Sequence, residues 1–203
     1  MKTLTRWVLA AIAIALSVPL FFAGFDATAR HVRVSDDNTT NGLLDIRLTR
    51  NSGDQAASIW IVTYKRWTLD TMWDKGYLLA WFETRADARY DYYVLARSDG
   101  RRMRGTLYRD DRSSKDKPIA DVTVWRSGKR TVRMRVPLKL MDFSAARLTY
   151  HWYAQTLFTG RLCRAVCLDR APNSGGVEEP IPGAPTPTPT ISVSPVVSVT
   201  PPT

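Results

Sequence analysis

Only two histidines and two cysteines occur in the 203 residues, and their scarcity removes several chemistries at once. A structural zinc site needs four Cys or His ligands, and His31 and His151 do not lie at ligand spacing with Cys163 and Cys167. Nucleophilic catalysis needs a base beside its Ser or Cys, and His151 has no recognisable partner in the sequence. A C-x-x-C redox motif is absent, because three residues separate the cysteines. No stretch sustains the 3.6-residue apolar period of a long amphipathic helix, which excludes helical bundles. Carboxylate pairs such as Glu83 with Asp91 exist, but nothing in their spacing selects one as acid and base. The expectation is a protein that is not an enzyme and holds no metal.

What is present divides the chain into four parts. Residues 1–29 read as a signal peptide. Lys2 and Arg6 precede an uncharged apolar run from Trp7 to Phe22, and Ala27-Thr28-Ala29 supplies small residues for cleavage. The run is short for a hydrocarbon core about 30 Å thick, so membrane contact is expected only through this segment if it stays uncleaved. Residues 30–42 form a polar segment. Residues 43–172 carry the folded domain, and residues 173–203, dominated by Pro, Thr, Val and Ser, read as a disordered tail. In the oxidising compartment that export implies, an isolated cysteine pair reads as a Cys163–Cys167 disulfide. The loop it closes is short, so it fixes a local turn rather than adding much stability.

Within residues 43–172 the dominant period is two. Leu44, Ile46 and Leu48 alternate with Asp45, Arg47 and Thr49, and Val132, Met134 and Val136 alternate with arginines. Ser58–Lys65 and Tyr77–Thr84 are apolar on both faces, as in central strands. Further strands are expected over 92–97, 102–108, 120–125 and 148–158, with turns at Asn51-Ser52-Gly53-Asp54, Ser98-Asp99-Gly100 and Ser127-Gly128-Lys129. Thr68, Leu69, Met72 and Trp73 allow one helical turn. About eight strands of this kind predict an all-β domain, an antiparallel sandwich or barrel, with a β-sandwich of jelly-roll or immunoglobulin-like form as the expected fold.

The net charge of +10 raises the question of anionic partners. Arginine at alternate strand positions is also how a sheet wets its outer face, so no nucleic acid is expected and an anionic wall polymer is the partner class left open. The stretch Glu83 to Tyr92 ends one strand and opens the next across an acidic loop. Glu83, Asp87 and Asp91 recur every fourth residue, and loop carboxylates of this kind hold Ca²⁺, although Arg85 and Arg89 interleave with them. Trp67 and Trp73 lie in the least regular segment, where aromatic rings act as sugar platforms. The plainer reading makes them core. Trp60, Trp81 and Trp152, inside apolar strands, are expected in the core.

The stretch Glu83–Tyr93 resembles secreted bacterial β-sandwiches of the DOMON and family 9 carbohydrate-binding type. The run from Tyr150-His151-Trp152 through Cys163, Cys167 and Asp169-Arg170-Ala171-Pro172 resembles a group of uncharacterised exported actinobacterial proteins. The resemblance implies a sandwich that binds a sugar or a haem without turning it over. Haem would need Met72, Met103, Met134 or Met141 paired with His151, and no pairing is arguable from sequence. The resulting expectation is a secreted or wall-associated monomer that binds carbohydrate or envelope glycopolymer through Trp67, Trp73, Glu83, Asp87 and Asp91. The alternative is a structural envelope protein that associates through its basic surface.

Overall fold

A computed structural model describes residues 32–182 except Asp54, Ala86, Arg112 and Ala146; the expected signal peptide (1–29) and the Pro/Thr-rich stretch from residue 183 lie outside the described residues. Every run with strand periodicity forms a strand. In chain order the strands are β1 (Arg33–Ser35), β2 (Ile46–Asn51), β3 (Ala56–Thr63), β4 (Gly76–Glu83), β5 (Tyr92–Ser98), β6 (Met103–Arg109), β7 (Lys117–Gly128), β8 (Thr131–Pro137), β9 (Thr149–Phe158), β10 (Cys167–Ala171) and β11 (Val177–Pro180). One helical turn, α1 (Leu69–Met72), starts at Thr68, whose hydroxyl accepts from the Thr71 amide while the Thr71 hydroxyl accepts from the Thr68 amide. Three strands exceed the expected eight. β1 is a three-residue piece of the polar segment, β10 follows the cysteine loop, and β11 lies beyond Pro172, where composition suggested a tail.

The strands pair antiparallel along one path, β1-β2-β3-β8-β7-β6-β5-β4-β9-β10, with β11 also on β9. The long β7 makes the path continuous. Its first half, to Val122, pairs with β6, and its second half, from Thr123, pairs with β8. A sandwich would keep two separate hydrogen-bonded layers. Here β7 carries the pairing from one set of strands to the other, and the sheet is a nearly closed, barrel-like ring: the expected all-β antiparallel class is present, with more strands than eight. The turn between the two halves brings the side chains of β7 onto β6 so closely that a Cβ on Gly105 would lie 2.2 Å from Val124 Cγ2.

Ile59, Ile61, Val132, Met134, Leu78, Phe82, Val94, Leu107 and Trp152 fill the interior and are fully buried. Two expectations change here. Trp152 is core, but Trp60 and Trp81 point outward and are only half-buried, because the second apolar face of β3 and β4 is the outside of the ring. Met72, Met103, Met134 and Met141 are all interior, whereas His151 stands half-buried beside Glu83. The haem pairing is not formed.

The ring closes where β10 meets the start of β2, and side chains make the junction. Asp169 Oδ2 accepts from the Ile46 amide at 2.5 Å, and the Thr156 hydroxyl donates to the Leu44 carbonyl at 2.7 Å. The Cys163–Cys167 disulfide is formed and sits against Gly42, where a Cβ would lie 3.0 Å from Cys167 Cβ. Buried carboxylates collect at this junction. Desolvation, with the nearby Asp36 and Asp45 carboxylates adding repulsion, pushes Asp169 up to about 6; burial pushes Glu179 of β11 up to about 7. Burial raises Asp36 and Asp45 as well.

Two outcomes follow from this packing. Gly105→Ala is expected to destabilise the fold by about 1–3 kcal/mol, as overpacking against a branched side chain does; urea denaturation reads this directly. Because the folded pKa values of Asp169 and Glu179 are raised, their contribution to stability is complete below pH 4 and is lost as pH rises through 6 to 7. The melting temperature is therefore expected to fall between pH 5 and pH 8. Asp169→Asn, which keeps the acceptor for the Ile46 amide, should flatten that slope.

Candidate functional site

The five residues singled out from sequence do not form one site. Trp67 is 2% exposed and packs in the core, with the Arg126 guanidinium 4.9 Å from its ring centroid and donating to its carbonyl. It is not a platform. Trp73 is 56% exposed and lies over Gly100 of the β5–β6 turn. It precedes β4, whereas Glu83 ends that strand, so at about 3.3 Å per residue roughly 23 Å separates Trp73 from the acidic loop.

The three carboxylates also have separate duties. Glu83 is buried, with Oε1 2.9 Å from Arg147 Nη2 and Oε2 3.1 Å from His151 Nδ1. Asp91 Oδ2 accepts from the Thr84 amide and hydroxyl, both at 3.1 Å, and so fixes the turn out of β4. Asp87 Oδ1 accepts from the Arg89 amide at 3.2 Å on the exposed loop tip. Among the described residues no group of three or more His, Cys, Asp or Glu side chains is arranged to hold a metal ion. Glu83, Asp87 and Asp91, which loop spacing alone allowed to share a Ca²⁺, serve instead in an Arg–His clamp, a loop-tip bond and a turn cap respectively.

What the loop does build is a cleft. The β4–β5 loop faces the β6–β7 loop, and between them lies a depression of about 470 Å³ lined by Arg85, Asp87, Arg89, Tyr90, Arg109 and Lys117, among others. The loops are held to each other by the backbone, with the Asp110 amide donating to the Asp91 carbonyl at 2.9 Å. Arg109 and Lys117 lean on Asp142 and Asp111 at 3.8 and 3.2 Å. Arg85 and Arg89 make no ion pair among the described residues.

Tyr90 connects the cleft to an aromatic row that periodicity had assigned partly to the core. Tyr108 of β6, Tyr93 of β5, Trp81 of β4 and Tyr153 of β9 stand directly opposite one another on adjacent strands. Their successive ring centroids are 5.2, 4.6 and 5.9 Å apart. Tyr90 meets Tyr153 edge-on at 4.5 Å, and the Arg170 guanidinium covers the Tyr153 ring at 3.8 Å. At these distances the rings face each other, so the row presents edges and hydroxyls to solvent rather than flat faces. Trp81 Nε1 donates to Gln155 at 3.0 Å, and the Tyr93 hydroxyl donates to Asp116 at 2.6 Å. Burial, eased by Arg170, pushes Tyr153 up to about 12, and burial plus the Asp116 bond raises Tyr93 further, so both remain neutral donors at physiological pH. The row was hidden because alternation on β4 and β9 reads as apolar on both faces, and the signal lies in pairing across strands.

Trp67→Ala is expected to cost about 3–5 kcal/mol, while Trp73→Ala changes stability by less than about 0.5 kcal/mol; chemical denaturation of the two variants separates core from surface. No family model, curated protein or solved structure matches the chain.

Proposed function

We propose that the protein is an exported, non-catalytic binding module whose ligand is a glycan held in the cleft between the β4–β5 and β6–β7 loops. The observation that carries this reading is the cleft's lining. Three guanidinium groups, the Lys117 ammonium, four aspartate residues and Tyr90 line one concave space. Sugars present hydroxyls on adjacent carbons, which suit planar guanidinium and carboxylate groups, and an apolar CH face that packs on an aromatic ring. The neutral hydroxyls of the adjoining tyrosine row extend the same kind of surface beyond the cleft.

The resemblance of Glu83–Tyr93 to DOMON and family 9 carbohydrate-binding domains falls on this loop and supports the same ligand class. In that view the halves of the ring joined through β7 correspond to the two layers of a jelly-roll-like sandwich. The apolar run at 7–22, with Ala27-Thr28-Ala29 after it, supports export to the cell surface or medium.

Isothermal titration of the full chain against soluble wall and plant glycans is the direct test. At least one should bind, and Tyr90→Ala should weaken it about tenfold or more, equivalent to about 1.4 kcal/mol, while Trp73→Ala leaves it unchanged. Heat from none of the glycans removes the reading. Binding indifferent to Tyr90→Ala and Arg89→Ala removes the cleft from it.

A further inference from the structure

Half-way round the ring from β4 and β5, the outer face carries a second ordered row. Strand register places Arg33 of β1 opposite Arg50 of β2, Arg50 opposite Trp60 of β3, Trp60 opposite Arg133 of β8, and Arg133 opposite Trp125 of β7. The Arg50 and Arg133 guanidinium groups lie 3.9 and 4.4 Å from the Trp60 centroid, on its two flanks, and Arg133 lies 5.0 Å from that of Trp125. With strands about 4.8 Å apart, the row is roughly 19 Å long.

Cation–π pairs across strands stabilise a sheet, but three observations exceed that role. Arg33 and Arg50 are like charges directly opposite each other, a pairing that weakens a sheet. No Asp or Glu occurs on β1, β2, β3 or β8, or on the Thr123–Gly128 half of β7. The side chains of Arg33, Arg50, Arg133 and Arg135 make no ion pair among the described residues, whereas Arg104 and Arg147 elsewhere are paired to carboxylates. Beside the row, Arg133, Arg135, Ser58 and Gln55 border a depression of about 250 Å³, large enough for an anionic substituent.

We infer that this face docks a linear anionic polysaccharide, with guanidinium edges binding its carboxylates in pairs. A guanidinium stacked on an indole keeps its N–H groups in the ring plane, the geometry a carboxylate accepts, and the buried Arg133 Nε has no hydrogen-bond partner within the protein. Nucleic acid fits less well. Single-stranded binding depends on open aromatic faces for base stacking, and both flanks of Trp60 are taken by arginines. The inference is independent of the cleft.

The test measures binding of the full chain to polygalacturonate, neutral dextran and a thymidine 30-mer at several salt concentrations. Polygalacturonate should bind with strong salt dependence and dextran should not. The double variant R33A/R135A removes two exposed side chains with no packing role and should weaken polygalacturonate at least tenfold. Arg133→Lys, which keeps the charge but not the fork, should weaken it about threefold, and Tyr90→Ala should leave it unchanged. Absence of binding overturns the inference, as does a double variant that binds as tightly as the parent. Equal affinity for the thymidine 30-mer, lost in the same double variant, overturns the assignment to a polysaccharide. Loss in Tyr90→Ala alone returns the ligand to the cleft.

Discussion

A sheet that curls on itself must satisfy the two edges it brings together, and here the junction of β2 with β10 does so largely without a strand ladder. The Ile46 amide is met by the Asp169 carboxylate, and the Leu44 carbonyl by the Thr156 hydroxyl. An unpaired edge is a template for association, so these side-chain bonds allow ten strands to enclose one core. Their cost is a set of carboxylates held out of water, visible in the raised pKa values of Asp36, Asp45 and Asp169. The disulfide secures the loop that enters β10 at this same junction, packed on the one residue small enough to receive it, Gly42.

Once the ring is closed, each strand has an inside and an outside and little freedom to exchange them, since a one-residue slip would turn every side chain over. Register then does for the surface what packing does for the core. The same antiparallel pairing that buries Ile59 beside Met134 aligns Trp60 with Arg133 outside. It likewise lines up Tyr108, Tyr93, Trp81 and Tyr153 on the opposite side. Both rows consist of residues far apart in sequence, and both lie perpendicular to the strands that supply them.

The sequence showed the strands clearly because period two is local. All eight expected runs are strands, and the helical turn at Leu69–Met72 is present. β1, β10 and β11 carried no such signal, since three to five residues show too few alternations and take their conformation from β2 and β9. The ring itself was not legible, because the pairing of β7 with two different neighbours depends on contacts with β6 and β8 rather than on its own residues. The candidate site was legible only as a place. Asp87 does line a cleft, with Tyr90 beside it, but Glu83 and Asp91 are used to hold the loop, and Trp67 went inside. Exposure of an aromatic in an apolar strand depends on which face closes inward, and for Trp60 and Trp81 no local pattern states that.

The separation of charge around the ring has a consequence for how the molecule moves. Strands β1, β2 and β8 carry arginines, and neither they nor β3 carry Asp or Glu, whereas the cleft beside Tyr90 is lined by both signs, so positive charge on the Arg–Trp face goes unanswered within its own strands. Near an anionic layer such a face is attracted before contact, within a screening length of about 8–10 Å at ordinary ionic strength. A layer engaged by the Arg–Trp row would leave the cleft beside Tyr90 open, since none of the cleft's lining lies on β1, β2, β3, β8 or the Thr123–Gly128 half of β7.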